Sequence, residues 1–176
     1  WKTLAQAAQD VRSVLNQLRL ESFLKSTGGK GLHVVVPIDP EHEWPVVKDF
    51  ARNLVLDMER QKPELYVTKM TKASRKNRIY LDYLRNDRDA TSIAPFSPRA
   101  RRGTPVSTPL RWNELNGEKM PRFFLTGFTE WRGRLRTDPW KTLGTARQRL
   151  PVDAFREVSA SRARSRRFLR GGGPGN

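Results

Sequence analysis

The sequence predicts an α/β or α+β fold, because helical and strand-like patterns alternate along its 176 residues. Apolar residues recur at helical spacing over residues 3–19 and again over residues 44–58. Between these two helices lies a β-branched run, residues 32–36, which Pro37 stops and which is typical of a buried strand. The order of the strands within a sheet does not follow from this alternation.

Shorter elements are predicted in the rest of the chain. In order, they are a strand at 21–25, a turn of small residues at 26–31, a strand at 79–83, short elements at 112–115 and 123–125, and a helix at 140–150. After Pro151 the apolar pattern fades, and the end of the chain is rich in Arg and then in Gly. We therefore expect one domain over residues 1–151, followed by a disordered basic tail over residues 152–176.

Composition points to a polyanionic partner. Lys and Arg number 34 against 18 Asp and Glu, a formal net charge of +16, and such an excess favours nucleic acid. A solubilising charge, a membrane-surface patch and a basic structural protein of the ribosome or nucleoid remain as alternatives. The chain has no cysteine, which excludes disulfides and thiolate metal sites and fits the reducing cytoplasm. No apolar run of about 18 residues predicts a membrane span.

The turn Ser26-Thr27-Gly28-Gly29-Lys30-Gly31 has the composition of a phosphate-binding loop. Small residues let backbone N–H groups approach an anion, and hydroxyls with a lysine can complete the cradle. The loop is not a Walker A motif, because Lys30 is followed by Gly31 rather than by Ser or Thr. A hairpin turn with a surface lysine is the alternative.

His33 lies in the strand that leaves this turn. Strand alternation places it on the face opposite Leu32 and Val34. A packed, hydrogen-bonded histidine and a residue of the site are both compatible with this position.

Asp82 is an acidic residue in the predicted strand 79–83 and follows a segment dense in Lys and Arg. A buried carboxylate requires a partner, and both a salt bridge to a nearby arginine such as Arg75 and a Mg²⁺ or Mn²⁺ ion meet that need. Metal-assisted phosphoryl transfer uses several carboxylates held together, and other acids, such as Asp87 and Asp89, lie in turn-like sequence.

A basic loop at residues 94–103 carries Arg99, Arg101 and Arg102 directly after two prolines, Pro95 and Pro98. The planar guanidinium group suits phosphate oxygens, and proline lowers the entropic cost of holding a loop. The alternative is a charged surface loop without a ligand.

Several sequence blocks carry a resemblance to a known family. They are Thr27-Gly-Gly-Lys30-Gly-Leu-His33, Ile79-Tyr-Leu-Asp-Tyr-Leu-Arg-Asn86, Ala94-Pro-Phe-Ser-Pro-Arg-Ala-Arg101, Pro105-Val-Ser-Thr-Pro-Leu110, Trp112-Asn-Glu-Leu115, Asp138-Pro-Trp140 and Arg147-Gln-Arg-Leu-Pro151. Occurring in this order, they closely resemble the polymerase domain of bacterial ATP-dependent DNA ligase D, a branch of the archaeo-eukaryotic primase superfamily. The resemblance covers about residues 1–151.

The resemblance implies a primase-type catalytic core that adds nucleotides to DNA ends in non-homologous end joining, with Mn²⁺ or Mg²⁺ as cofactor and NTPs or dNTPs as substrates. Asp82 matches the third metal-binding carboxylate of the family, and His33 is the second implied catalytic residue. The implied nucleotide-binding residues are Ser26, Thr27, Lys30, Gly31, Arg75 and Arg99. The implied partners are DNA ends, the Ku end-binding protein, and ligase and nuclease modules. Such a protein is expected to be cytoplasmic and nucleoid-associated.

One departure from the family limits this expectation. The family's Asp-x-Asp motif, which supplies two of three metal ligands, is expected upstream of Trp1. We therefore expect the fragment alone to be inactive. A non-catalytic DNA-binding remnant of the same family is the alternative function.

Overall fold

The structure is a computed structural model that describes residues 1–155. Its helices and strands are, in chain order, α1 (Lys2–Gln17), β1 (Phe23–Ser26), β2 (Leu32–Val35), α2 (Trp44–Gln61), β3 (Tyr66–Val67), β4 (Ile79–Tyr80), β5 (Pro105–Val106), β6 (Pro109–Leu110), β7 (Phe123–Phe124) and α3 (Phe128–Arg136). Short 3₁₀ turns lie at Ala73–Arg75, Trp112–Asn116, Leu125–Gly127 and Val152–Phe155. This mixture confirms the predicted fold class. No described helix is long and apolar enough to cross a membrane.

The described chain folds as two units that alternate in sequence. The first unit contains Trp1–Pro40 and Thr91–Arg149, and the second contains Glu41–Ala90 together with the described residues from Leu150 onward. The prediction of one domain over residues 1–151 stays a prediction.

The first unit is built on a three-stranded antiparallel sheet in the order β2-β1-β6. One face of the sheet packs against α1, and the two layers enclose a small apolar core. Its buried members are Ala5, Ala8, Leu24, Leu110 and Leu115. The apolar face of α1 that the sequence periodicity predicted is therefore the face that packs against the sheet.

The register of the sheet decides which side chains face α1. Leu24 of the central strand pairs with Val34 and Leu110, and it is fully buried in the core. The next residue, Lys25, pairs with His33 and projects from the opposite face. The predicted alternation of the strand that carries His33 is confirmed. The second sheet of this unit pairs β5 with β7.

The second unit combines α2 with a parallel pair, β3 and β4. Pro45 stands in the first turn of α2, where the missing N–H is tolerated, which explains the start of the helix. Phe50 of α2 meets Phe155 edge-on with ring centroids 5.5 Å apart. The first residues of the predicted tail thus form a packed 3₁₀ turn, and residues 156–176 lie outside the described residues.

The prediction of a helix at 140–150 is wrong. Trp140 instead donates a hydrogen bond from its indole nitrogen to the Leu24 carbonyl oxygen at 2.9 Å and meets the Phe23 ring edge-on. Further along, the Gln148 carbonyl accepts from the Asp39 N–H at 2.8 Å. These long-range contacts hold the segment in turns and extended backbone. A helix that the sequence did not suggest, α3, lies just before it.

The predicted strand at 79–83 is shorter than expected, because only Ile79 and Tyr80 pair with β3. Asp82 lies two residues beyond the strand and is exposed. The interpretation of Asp82 as a buried strand carboxylate is therefore wrong, and the energetic need for a partner disappears with it.

Candidate functional site

The turn between β1 and β2 is closed by Thr27. Its N–H and its hydroxyl both donate to the Gly31 carbonyl oxygen, at 3.1 Å and 3.0 Å, and its hydroxyl accepts from the Gly29 N–H at 3.3 Å. Lys30 stands exposed at the tip. The threonine thus fixes the shape of the turn, and the lysine side chain faces solvent.

At position 28 of the turn, no residue other than glycine fits without strain. Its φ of +65° lies in the left-handed region, and an added Cβ would stand 2.9 Å from Arg99 Cγ and 3.1 Å from the Pro105 carbonyl oxygen. The same contact shows that the stem of Arg99 lies against the turn. At Gly31 an added Cβ would meet Thr27 in ordinary contact at 3.7 Å.

A second arginine of the basic loop reaches the same turn. A Cβ at Gly29 would lie 3.2 Å from Arg101 Nη1, so this guanidinium group covers the glycine. The fold therefore brings Lys30, Arg99 and Arg101 to one small turn. Arg101 appeared in the sequence only as part of a basic loop, because nothing in the local pattern shows which arginine of the loop faces the turn.

The segment that carries Arg99 is held by backbone pairing as well as by its prolines. Phe96 N–H donates to the Ser107 carbonyl at 2.7 Å, Ser107 N–H donates to the Ser97 carbonyl at 2.9 Å, and Arg99 N–H donates to the Pro105 carbonyl at 2.8 Å. The predicted basic loop is thus an ordered strand-like segment beside β5, which fixes the position of Arg99.

Ser26 lies inside the fold, with 1% of its surface exposed. Its hydroxyl oxygen accepts from the Thr108 N–H at 3.1 Å. The side chain therefore supports the base of the turn, next to β6.

His33 is half-buried on the free face of the sheet. Its Nδ1 lies 3.2 Å from the Ser92 hydroxyl, which makes it a hydrogen-bonded residue at the rim of the same region.

Lys25, across the strand pair from His33, is a residue that the sequence interpretation missed. It is only 3% exposed, and its ammonium group donates to the Ile93 carbonyl and, at 3.3 Å, to the Ser107 hydroxyl. Burial, and then the charge of Arg99, lowers the pKa of Lys25 to about 8. A lysine in a short strand ordinarily indicates a surface position, so no sequence signal revealed it.

The second unit holds Arg75 and Asp82 on either side of Tyr80. The Arg75 guanidinium carbon lies 5.6 Å from the centroid of the Tyr80 ring, and Asp82 Oδ1 accepts from the Leu84 N–H at 2.9 Å. Burial, and then the Asp82 charge, raises the pKa of Tyr80. Tyr80 was predicted only as a strand residue.

The described residues do not by themselves make a divalent-metal site. Asp82 offers one exposed carboxylate, a suitable oxygen ligand for a hard cation, but no group of three His, Cys, Asp or Glu side chains within residues 1–155 is placed to hold a metal ion. Asp87, another acid of this region, pairs with Lys48, and this contact holds the pKa of Asp87 below its usual value. What the described residues do assemble is a set of cations and a tight glycine turn, suited to phosphate oxygens.

Comparisons with known proteins agree on one family. A sequence model described as "LigD, primase-polymerase domain" matches residues 1–140. The "Multifunctional non-homologous end joining protein LigD" of Pseudomonas aeruginosa is 35% identical over 167 residues, which cover 90% of this chain and 19% of the relative. The "Bifunctional non-homologous end joining protein LigD" of Bacillus subtilis is 29% identical over 120 residues, 68% of this chain and 20% of the relative.

A solved structure shows the same fold. The "Polymerase Domain from Mycobacterium tuberculosis Ligase D in complex with DNA" matches with a TM-score of 0.75 at 28% identity, over 81% of this chain and 50% of that one. The chain thus spans about a fifth of the length of its LigD relatives and half of the solved domain.

Proposed function

Because the chain belongs to the LigD primase-polymerase domain family, we propose that it takes part in nucleotidyl transfer to DNA ends during non-homologous end joining. The family gives the class of enzyme, a nucleotidyltransferase. In this proposal the incoming NTP or dNTP is held by its triphosphate at the turn Thr27–Gly31, and the acceptor is the end of a broken DNA duplex.

One observation carries the proposal: Arg99 and Arg101 lie against two glycines of the turn that also carries the exposed Lys30. A nucleoside triphosphate brings several negative oxygens, and an arginine beside a lysine can bind them with charge-assisted hydrogen bonds. Catalysis of phosphoryl transfer consists mainly of such positioning and charge stabilisation.

The roles of the remaining predicted residues rest on the resemblance. Asp82 is proposed as one ligand of a Mn²⁺ or Mg²⁺ ion, which would neutralise phosphate charge when bound. Arg75 is proposed as a nucleotide contact and His33 as a catalytic residue. Ku and attached ligase and nuclease modules are proposed partners, and association with the nucleoid would follow from DNA binding.

Replacing Arg99 or Lys30 by Ala is expected to weaken nucleotide binding about 10- to 100-fold, because each removes a charged contact worth about 1.5–3 kcal/mol. The measurement is incorporation of a labelled NTP at a DNA end with Mn²⁺, by the natural polypeptide that carries this chain, together with calorimetric binding of the NTP. Arg147→Ala is the matched control, since Arg147 is exposed and donates to the Gly144 and Ala146 carbonyl oxygens of its own turn. Unchanged affinity in both test variants would overturn the proposal.

The second candidate is a non-catalytic DNA-binding remnant of the same family, which the net charge of +16 would serve. The two candidates differ in one result. The remnant binds DNA ends but incorporates no nucleotide even in the natural polypeptide, whereas the enzyme loses Mn²⁺-dependent incorporation when Asp82 is replaced by Ala. In either case we expect the 176-residue chain by itself to be inactive.

A further inference from the structure

Lys25 occupies an unusual place for a lysine. It lies in the central strand of the sheet and is 3% exposed. Burying an ammonium group in such a position costs free energy of folding unless its N–H donors are hydrogen-bonded. Strand alternation takes its side chain away from the apolar core under α1 and toward the face that carries His33.

The hydrogen bonds of Lys25 converge on one segment. The ammonium group donates to the Ile93 carbonyl oxygen and to the Ser107 hydroxyl at 3.3 Å. That hydroxyl in turn donates to the Ser26 carbonyl oxygen at 2.8 Å. Lys25 therefore links β1, the strand before the turn, to Ile93, the residue at the start of the segment that carries Arg99.

The far end of the same segment is the part that meets the turn, where the Arg99 stem lies against Gly28. Between the two ends, Phe96 and Ser97 pair with Ser107, the residue whose hydroxyl Lys25 also holds. A shift of the Ile93 end would therefore be transmitted along this ladder to the arginine.

We propose that Lys25 is a positioning residue of the triphosphate site, which acts through Arg99 by anchoring residues 93–99 to the strand beneath the turn. The proposal rests on the proposed function of the turn. It assigns Lys25 no contact with the nucleotide: the buried ammonium group fixes the frame, and Arg99 makes the contact. The apolar stem of Lys25 fills the space under the segment, and its donors fix the register.

The test is a double-mutant cycle on the full chain, with inorganic tripolyphosphate as the probe and calorimetry as the readout. Lys25→Met keeps an unbranched apolar stem of similar length and removes the ammonium donors. We expect it to weaken tripolyphosphate binding about 5- to 10-fold in the natural background and less than about twofold in the Arg99→Ala background, because Lys25 has then lost the residue through which it acts. Lys2→Met, the same substitution on the exposed face of α1, is the control and is expected to change nothing.

Two results would overturn the inference: an equal loss from Lys25→Met in both backgrounds, which indicates an independent effect of charge or stability, or no loss in the natural background. If Lys25→Met fails to fold, Ser107→Ala takes its place in the same cycle, since it removes the hydroxyl that Lys25 holds, and the same two results decide. Failure of the proposed function is distinguishable, because Arg99→Ala alone would then leave binding unchanged.

Discussion

At the scale of single residues, the fold holds like charges close together at the turn between β1 and β2. Arg99 lies against Gly28, and its charge, after burial, contributes to the lowered pKa of Lys25. Cations that are forced together raise the free energy of the folded chain and are stabilised by a bound anion. Under the proposed function, a bound triphosphate would reduce this repulsion.

The buried Lys25 gives the stability of the protein a characteristic pH dependence. Its pKa is about 8 in the folded state against 10.5 for an ordinary lysine, so the unfolded chain binds more protons between these values. The cost of the buried charge is fully present below pH 8 and is released as the pH rises to 10.5. We expect the stability of the natural chain, relative to Lys25→Met, to rise by up to about 3 kcal/mol across this window.

The measurement is chemical denaturation of both proteins at a series of pH values. The Lys25→Met variant is the control, because the difference between the two proteins removes the pH dependence that they share. A difference in unfolding free energy that stays constant from pH 8 to 10.5 would show that folding does not lower the pKa of Lys25.

At the scale of elements, Arg134 links α3 to other parts of the first unit. Arg134 forms an ion pair with Glu114, donates to the Pro109 carbonyl at 3.0 Å, and lies 4.4 Å from the centroid of the Phe123 ring. Burial alone would raise the pKa of Glu114, but hydrogen bonds from Arg134 and from the Arg111 N–H hold it below its usual value. The pair therefore contributes stability above that usual value, and the contribution is lost as the pH falls through the folded pKa.

Arg134→Met is expected to lower the free energy of unfolding by about 1–3 kcal/mol, because it leaves a half-buried carboxylate without its partner. Thermal and denaturant unfolding of the chain give the value. Arg132→Met, on the same helix, removes only a contact 5.7 Å from the Phe128 ring centroid, and it is expected to cost less than about 1 kcal/mol. Equal effects of the two substitutions would mean that the ion pair does not anchor α3.

The elements also show where sequence patterns succeed and fail. Helices α1 and α2 were predictable, because each has a long apolar face with 3.6-residue periodicity. The helix predicted at 140–150 does not form, because the Trp140 indole N–H donates to a carbonyl oxygen of β1, 116 residues away in sequence. Strand β4 is shortened because its length depends on its partner, which the sequence does not identify.

In the candidate site too, some features follow from local sequence and others depend on contacts between distant segments. The turn with Thr27 and Lys30, and the presence of a basic loop, follow from local composition. The approach of Arg101 to Gly29, and the burial of Lys25, follow from pairing between strands far apart in sequence. Local patterns carry no information on such pairing, so these residues became visible only in the structure.

At the scale of the whole molecule, the net charge of +16 would favour the proposed encounter with DNA. If about five phosphates are neutralised on binding, log K should fall against log salt with a slope of about −4 to −5 between about 50 and 200 mM. Fluorescence anisotropy with a blunt-ended duplex measures it. A slope near zero would show that the basic surface is not the DNA-binding surface.

The alternation of the two units in sequence has a consequence for how the protein is made. The central strand β1 pairs at once with β2, but its other partner, β6, lies beyond the whole first segment of the second unit, and the Ser26–Thr108 bonds span 82 residues. On the ribosome, the nascent hairpin therefore waits with the outer edge of β1 unpaired, a surface on which other chains can pair. Arg99 and Arg101, which lie against the turn, are synthesised shortly before β6. The hairpin therefore gains its second partner strand and these two arginines at nearly the same time.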